Sequence, residues 1–344
     1  MRLMAFLLAL LALAGCARPL PPGVTELTYA TPYGPSHPFS RADKVWMDEV
    51  ARRSGGKLVI KPLWSGAVLS SDMSMEELRH GVADIGLITP IYVRGGTHLI
   101  RTHSGFYSGV ETIAGQVALY RCMAASSPQF ARELAGLKVL AVQGGTLPGV
   151  VTRDRPVRTL DDLKGLRLRA PTELLRVLER LGADPVNMPM GEVYSAMSKG
   201  VIDGVVAPGD TFRSLHFAEV AKHFNTLAIP RGAYPARAIG LARWNRLTEA
   251  ERALLEGTTP VWETAIEREV MGALERGMKE ARDRKVAIVA MGPAEQARFD
   301  RIYLEDAEAN ARALGELGID GLAVFRAGRR AVKGPDRIEC EAQQ

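Results

Sequence analysis

Two stretches of this chain echo one another, and the echo constrains the fold more than any other feature. One is Gly81-Val82-Ala83-Asp84-Ile85-Gly86-Leu87-Ile88-Thr89-Pro90; the other is Gly200-Val201-Ile202-Asp203-Gly204-Val205-Val206-Ala207-Pro208. Each reads as a helix end, then Gly-Val-x-Asp, then an apolar strand, then a proline. The glycine suits the left-handed residue that closes a helix, and the aspartate starts the strand. Coincidence among common Gly-Val pairs is the bland alternative. The matching context on both sides favours two equivalent halves.

The surroundings repeat as well. Thr25 to Thr31 alternates like a strand, and Tyr33 to Pro38 is a loop. Ser40 caps a helix with Asp43 three places on; Ala42, Val45, Trp46 and Val50 share one face, and Gly55-Gly56 stops it. Leu58 to Leu63 is a strand, Ser74-x-x-Glu77 opens a short helix, and Asp84 to Thr89 is a buried strand. Later, Lys164 to Arg169 is a strand, Thr172 to Leu181 a helix, Val186 to Met188 a short strand, Gly191 to Ser198 a helix and Val201 to Ala207 a strand. This is the rhythm of open, mainly parallel sheets with helices on their faces. Two such lobes suggest a hinged clam-shell, with ligand held outside the carboxyl ends of the strands.

The last third is helical. Thr248-x-x-Glu251 is a capping box. Thr259-Pro260 starts a further helix, in which Trp262, Ile266, Val270, Ala273, Leu274 and Met278 keep helical spacing. Running to about Arg284, it spans roughly 37 Å, long enough to lie across both lobes. Val286 to Met291 is a strand, and Pro293 opens another helix.

The N-terminus argues for export. Arg2 precedes the apolar run Leu3 to Ala14, too short for the roughly 20 residues of a membrane-spanning helix and suited to a signal-peptide core. Leu13-Ala14-Gly15-Cys16 has the lipobox pattern, with Cys16 as the lipidated residue; an ordinary signal peptide with a coincident cysteine is the alternative. Residues 1–15 are thus read as signal peptide and the proline-rich 16–23 as a tether. One lobe is assigned to 24–147 plus about 233–272, the other to 148–232 plus about 273–330, and 331–344 to a basic, solvated tail. Cys122 is read as a small core residue, with no bridge to Cys340.

Several chemistries are missing. The net charge of +5 is mild and both signs are interspersed, without the basic stripe and stacking aromatics of a nucleic-acid binder. There is no Gly-x-Ser-x-Gly elbow. Gly144-Gly145-Thr146-Leu147-Pro148-Gly149 is not followed by Gly-Lys-Ser/Thr, so it reads as an interlobe turn and not a P-loop. Neither His98 with His103 nor His216 with His223 has the spacing of a zinc helix. No catalytic residue, metal site or cofactor is expected.

The segment Leu160 to Pro208 resembles the DctP-type substrate-binding proteins of TRAP transporters, which are tripartite, ATP-independent and periplasmic. The resemblance is carried by Asp162-Leu163-Lys164-Gly165-Leu166-Arg167-Leu168-Arg169-Ala170-Pro171, Leu181-Gly182-Ala183-Asp184-Pro185-Val186, Met188-Pro189, Glu192-Val193-Tyr194 and Gly200-Val201-Ile202-Asp203-Gly204. The N-terminal half matches more loosely, through Gly55-Gly56-Lys57-Leu58 and Gly81 to Gly86. The resemblance implies an α/β two-lobed periplasmic-binding-protein clam-shell with a long helix crossing both lobes. It implies a small organic acid as ligand, and as partners the small and large membrane subunits of a permease driven by an ion gradient. It places the chain in the periplasm or on the cell surface. It makes Arg169 the residue that grips the ligand carboxylate, for which a planar, always-charged fork is suited; a solvated strand arginine is the alternative, and Arg167 fits that description.

Three departures bear on the ligand. Sialic-acid-binding members carry a second arginine where this chain has Gly149, and Arg153 and Arg155 are not aligned with it. Ala207 precedes Pro208 where many members have Asn, and Met190 replaces an aromatic. The expected ligand is therefore a monocarboxylate with an apolar body. Tyr33, Trp64, Tyr92, Phe212 and Tyr234 lie near predicted strand ends as candidate walls, with core packing the alternative for each. Asp210 either accepts a hydrogen bond from the ligand or caps a loop. Competing readings are a ligand-presenting sensor partner, the binding protein of an ATP-driven importer, and an enzyme on the same clam-shell.

Overall fold

The computed structural model describes residues 21–93 and 95–340. The stretch read as a signal peptide, Cys16, tether residues 16–20 and the tail residues 341–344 lie outside the described residues. Two sheets organise the chain. The first has the order β2 (Leu58–Leu63), β1 (Thr25–Ala30), β3 (Ile85–Leu87), β10 (Tyr234–Gly240), β4 (Leu137–Gln143). The second has the order β11 (Ala287–Val289), β9 (His223–Asn225), β5 (Gly149–Thr152), β8 (Gly204–Ala207), β6 (Arg167–Arg169), β7 (Asp184–Val186). Each is parallel except for one inserted strand. β10 runs antiparallel between β3 and β4, and β5 runs antiparallel between β8 and β9. Both inserted strands follow a crossing of the chain between sheets, at 144–148 and at 226–233.

The echoed segments do equivalent physical work. Gly81 and Gly200 end their helices at φ +75° and +72°, where a side chain is disfavoured. Asp84 Oδ2 then accepts from the backbone N–H of Thr28 at 2.8 Å, and Asp203 Oδ2 from that of Arg167 at 2.8 Å. Thr28 lies on the parallel neighbour of β3, and Arg167 begins the parallel neighbour of β8. Each aspartate satisfies an amide at the edge of a parallel pair and fixes the register.

The first helix runs Pro38–Arg53, one turn earlier than the Ser40 cap predicts; His37 caps it through Nδ1. Ser40 and Asp43 are fully buried. Asp43 is a core anion: it accepts from Tyr29 Oη, from Trp262 Nε1 at 2.8 Å and from Arg237 Nε at 2.9 Å. The short-range Ser-x-x-Asp pattern resembles a cap, but a partner nearly two hundred residues on claims the carboxylate.

The long helix is one element, Glu249–Asp283, closed at its start by the Thr248/Glu251 capping box. It passes straight through Pro260, where the sequence predicts a new start. Proline inside a helix costs about 3 kcal/mol. Leu255, Trp262, Ala265, Ile266 and Val270 join the first-sheet core, and each large apolar side chain so buried contributes roughly 1.5–3 kcal/mol. Packing therefore outweighs the proline, and Arg53 Nη1 bonds the Gly257 carbonyl at 3.1 Å in the weakened turn. Further along, Met278 and Ala281 pack into the second-sheet core, so the helix ties the two lobes together. The predicted helix after Pro171 begins instead with a 3-10 turn, Thr172–Leu174, followed by Leu175–Arg180.

The tail departs most from expectation. Cys122 and Cys340 form a disulfide, with Cα atoms 5.2 Å apart. The final helix, Gly321–Ala331, packs on Ile113–Ser126. The chain then turns back through a Val332–Ile338 bridge, and the Glu111 N–H bonds the Pro335 carbonyl at 2.8 Å. Up to Cys340 the tail is pinned to the body. Cysteine spacing could not show this, because the bridge joins residues 218 apart.

Candidate functional site

A cavity of about 130 Å³ lies between the sheets. The loop after β1 contributes Tyr33 and His37, the start of the first helix contributes Phe39, and the turn after β3 contributes Ile91 and Tyr92. The interlobe crossings contribute Gly145, Pro148 and Arg231. The second sheet brings Arg169 at the end of β6 and Val206 in β8, with Pro208 and Asp210 beyond β8. Strand carboxyl ends of both sheets thus face one space, as the open α/β rule requires.

Arg169 is 3 % exposed. Its Nε donates to the Met188 carbonyl at 2.9 Å and its Nη2 to Tyr92 Oη at 2.8 Å. Among the described residues it has no ion pair. A buried guanidinium without a counter-charge is costly, so the site is built to receive an anion. Arg167, two residues back, is exposed and lies 3.6 Å from Asp184; it is the solvated strand arginine.

A second cation, Arg231, was not foreseen. It lines the cavity from the β9–β10 crossing and has no ion pair among the described residues. Position 149 is closed to a side chain: a Cβ there would collide with the Asn225 carbonyl and the Phe224 ring. Two carboxyl groups accompany the arginines. Burial pushes Glu173 up to about 7, with Arg169 and Arg231 pulling against it. Burial pushes Asp210 up to about 6, against the pull of Arg231 and a hydrogen bond from Ser214 Oγ at 3.1 Å. Glu173 Oε2 has no hydrogen-bond partner among the described residues. At neutral pH Asp210 is largely ionised while Glu173 lies near its midpoint, so the two arginines and two carboxyl groups together carry between zero and one net positive charge.

The wall is largely aromatic and aliphatic. Tyr33 stacks on His37, ring centres 4.0 Å apart. Burial holds His37 down to about 3, with Arg237 and Arg41 adding to the effect, so that imidazole is neutral. Of the aromatic candidates read from sequence, Tyr33, Tyr92 and Tyr234 line the cavity, as do Met190 and Asp210. Trp64 and Phe212 do not. Trp64 packs edge-on against Tyr29, and Phe212 against Phe224 in the second-lobe core. A place near a strand end does not decide which way a ring turns. Among the described residues, no group of three or more histidine, cysteine, aspartate or glutamate side chains is arranged for a metal. No described helix is long and apolar enough to cross a membrane.

The family model of the bacterial extracellular solute-binding protein, family 7 (DctP), matches residues 29–312. A solute-binding protein of Chromohalobacter salexigens is 25% identical over 269 residues, 71% of this chain and 75% of that protein. The fold is similar to that of a TRAP solute-binding protein of Rhodoferax ferrireducens, solved with copurified benzoate. The TM-score is 0.80 at 24% identity, covering 89% of this chain and 97% of that one. It is also similar to a marine-metagenome TRAP solute-binding protein from an unidentified microbe, specific for aromatic acids and bound to metahydroxyphenylacetate. There the TM-score is 0.79 at 22% identity, covering 89% and 98%.

Proposed function

The chain belongs to the bacterial extracellular solute-binding proteins of family 7, the DctP family, and on that premise we propose that it captures a monocarboxylate with an apolar, ring-sized body for delivery to a TRAP permease. The observation that carries the proposal is the buried guanidinium of Arg169, open to the cavity and without an ion-pair partner among the described residues. Tyr92 braces it, and the ligand carboxylate supplies the missing counter-charge. With Glu173 protonated the site carries one net positive charge, which suits one carboxylate. The cavity, about 130 Å³, is close to the roughly 150 Å³ that accepts a benzene ring. Tyr33, Phe39, Ile91 and Val270 supply an apolar surround. The benzoate and metahydroxyphenylacetate of the two similar structures have this shape and charge.

The lobes are taken as the two sheets with the helices packed on them, hinged at 144–148 and 226–233. The helix Gly321–Ala331 then belongs with the first lobe, because it packs on Ile113–Ser126. Attachment to a membrane through lipidated Cys16 is part of the same proposal. The Leu13-Ala14-Gly15-Cys16 pattern supports it. The Cys122–Cys340 disulfide supports export independently, since such bonds persist in oxidising compartments. The intact mass of the mature N-terminal peptide tests the lipid; an unmodified Cys16 would remove it.

Mass spectrometry of ligand retained by protein purified without refolding tests the capture, alongside a thermal-shift panel of organic acids. A ligand at a hundred times its dissociation constant adds about 2.7 kcal/mol of stability. A retained or stabilising monocarboxylate is the expected result. Turnover of the bound acid, or no stabilisation by any acid in the panel, defeats the proposal.

Glu173 makes the capture pH-dependent. A carboxylate seated near it favours its protonated form, so binding takes up a proton. Well below pH 7 Glu173 is already protonated and its contribution to affinity is full. Above that the ligand must drive the protonation, and affinity falls with rising pH, by at most about tenfold per pH unit. Glu173→Gln should flatten the profile between pH 6.5 and 8.5 in titration calorimetry. A wild-type profile already flat there would take Glu173 out of the site.

A further inference from the structure

We propose that Tyr92 and Tyr234 are locked as hydrogen-bond donors into the cavity, and that Gln143 and Arg237, outside it, set the donor direction of Tyr234 and with it a preference for carboxylate over carboxamide. This rests on the carboxylate-capture reading above. A guanidinium has only donors. Arg237 is fully buried; its Nε is committed to Asp43, and its Nη1 donates to Gln143 Oε1. The amide of Gln143 is therefore oriented by chemistry: its oxygen must face Arg237, so its nitrogen must face the other way. That nitrogen donates to Tyr234 Oη at 3.0 Å. With the phenol oxygen accepting there, its own proton points elsewhere. No acceptor for it occurs among the described residues, and Tyr234 lines the cavity. The same logic holds for Tyr92, whose oxygen accepts from Arg169 Nη2. Burial raises the ionisation range of Tyr234, so the hydroxyl keeps its proton at working pH.

Two chains of hydrogen bonds, each rooted in an arginine, thus end as O–H groups aimed at the ligand space. A carboxylate offers acceptors only and satisfies both. Where the two donors meet different oxygens of the carboxylate, a primary amide presents an NH₂ to one of them, which leaves that pair unmatched and is penalised in a buried site. Gln143 and Arg237 are positioning residues; they act on the ligand through Tyr234.

The test reverses the polarity of the relay. In Gln143→Glu both carboxylate oxygens accept, one from Arg237 and one from Tyr234, so the Tyr234 proton turns away from the cavity. The probes are benzoate, mandelate and pyruvate, each with its primary amide, measured by titration calorimetry on the full exported protein. Gln143→Glu is expected to lower the acid-to-amide affinity ratio at least tenfold. Tyr234→Phe, which keeps the ring, should lower it similarly. In the Tyr234→Phe background, adding Gln143→Glu should leave the ratio unchanged. An equal fall in both backgrounds would mean simple repulsion by the new charge, and the relay would be wrong. An unmoved ratio in Tyr234→Phe alone overturns the proposal even if Gln143→Glu does not fold. Wild-type protein that binds none of the acids sinks the capture reading itself; acids bound with an unshifted ratio sink only the relay.

Discussion

Arg169→Gln is expected to weaken binding of the captured acid by about 2–5 kcal/mol, a loss of roughly thirtyfold to several thousandfold. Glutamine is uncharged and removes two things together. The ligand loses its counter-charge in a water-excluded space, and Tyr92 Oη loses the donor that holds it at 2.8 Å. Arg169→Lys should fall between the two. A lysine restores the charge as a single point but not the planar fork that engages Met188, Tyr92 and a carboxylate at once. Because Arg169 has no ion pair among the described residues, the empty protein should tolerate its removal, and the melting temperature without ligand should hold or rise. Calorimetric affinity unchanged in Arg169→Gln would place the carboxylate elsewhere, with Arg231 the next candidate.

The second large effect lies in the first-lobe core. Asp43→Ala leaves Arg237 buried with its charge unanswered, and strips a hydrogen-bond acceptor from Tyr29 and Trp262. Removing one partner of a buried pair costs about 3–5 kcal/mol, so the guanidinium-denaturation midpoint should fall clearly. Replacing both charges by apolar residues, as in Asp43→Leu with Arg237→Met, should recover much of the loss, because the desolvation of both ions disappears together. A double variant as unstable as Asp43→Ala would show that the network is needed as a whole. Trp262 lies on the long helix, so this core carries the element that joins the lobes.

What the sequence made legible was local. Gly81 and Gly200 could be read as helix ends because the left-handed requirement sits in one residue. The capping box at Thr248 could be read because both partners lie within one turn. Arg169 was legible because a strand end, a proline and a motif coincide within ten residues. What escaped depends on parts of the chain meeting in space. Arg231 lines the cavity only because the crossing after β9 carries it there. Asp43 looks like a cap until β10 brings Arg237 to it. Pro260 reads as a start until packing on both sides outweighs the broken turn. Gly149 was read correctly as lacking an arginine, but not as a position that has no room for one. Trp64 and Phe212 were placed near strand ends, yet Trp64 packs on Tyr29, and Phe212, in the short helix Thr211–Ser214, turns into the second-lobe core.

The Cys122–Cys340 bond also changes the covalent topology of the molecule. It closes a ring from 122 to 340 that contains both crossings, the entire second sheet and the long helix. A single proteolytic cut anywhere in that ring, at a crossing between the sheets for example, leaves the two fragments joined through the disulfide. Such a nicked protein migrates as one chain until reductant is added. Controlled nicking of one crossing therefore cuts a link between the sheets while the disulfide keeps the two fragments in one molecule.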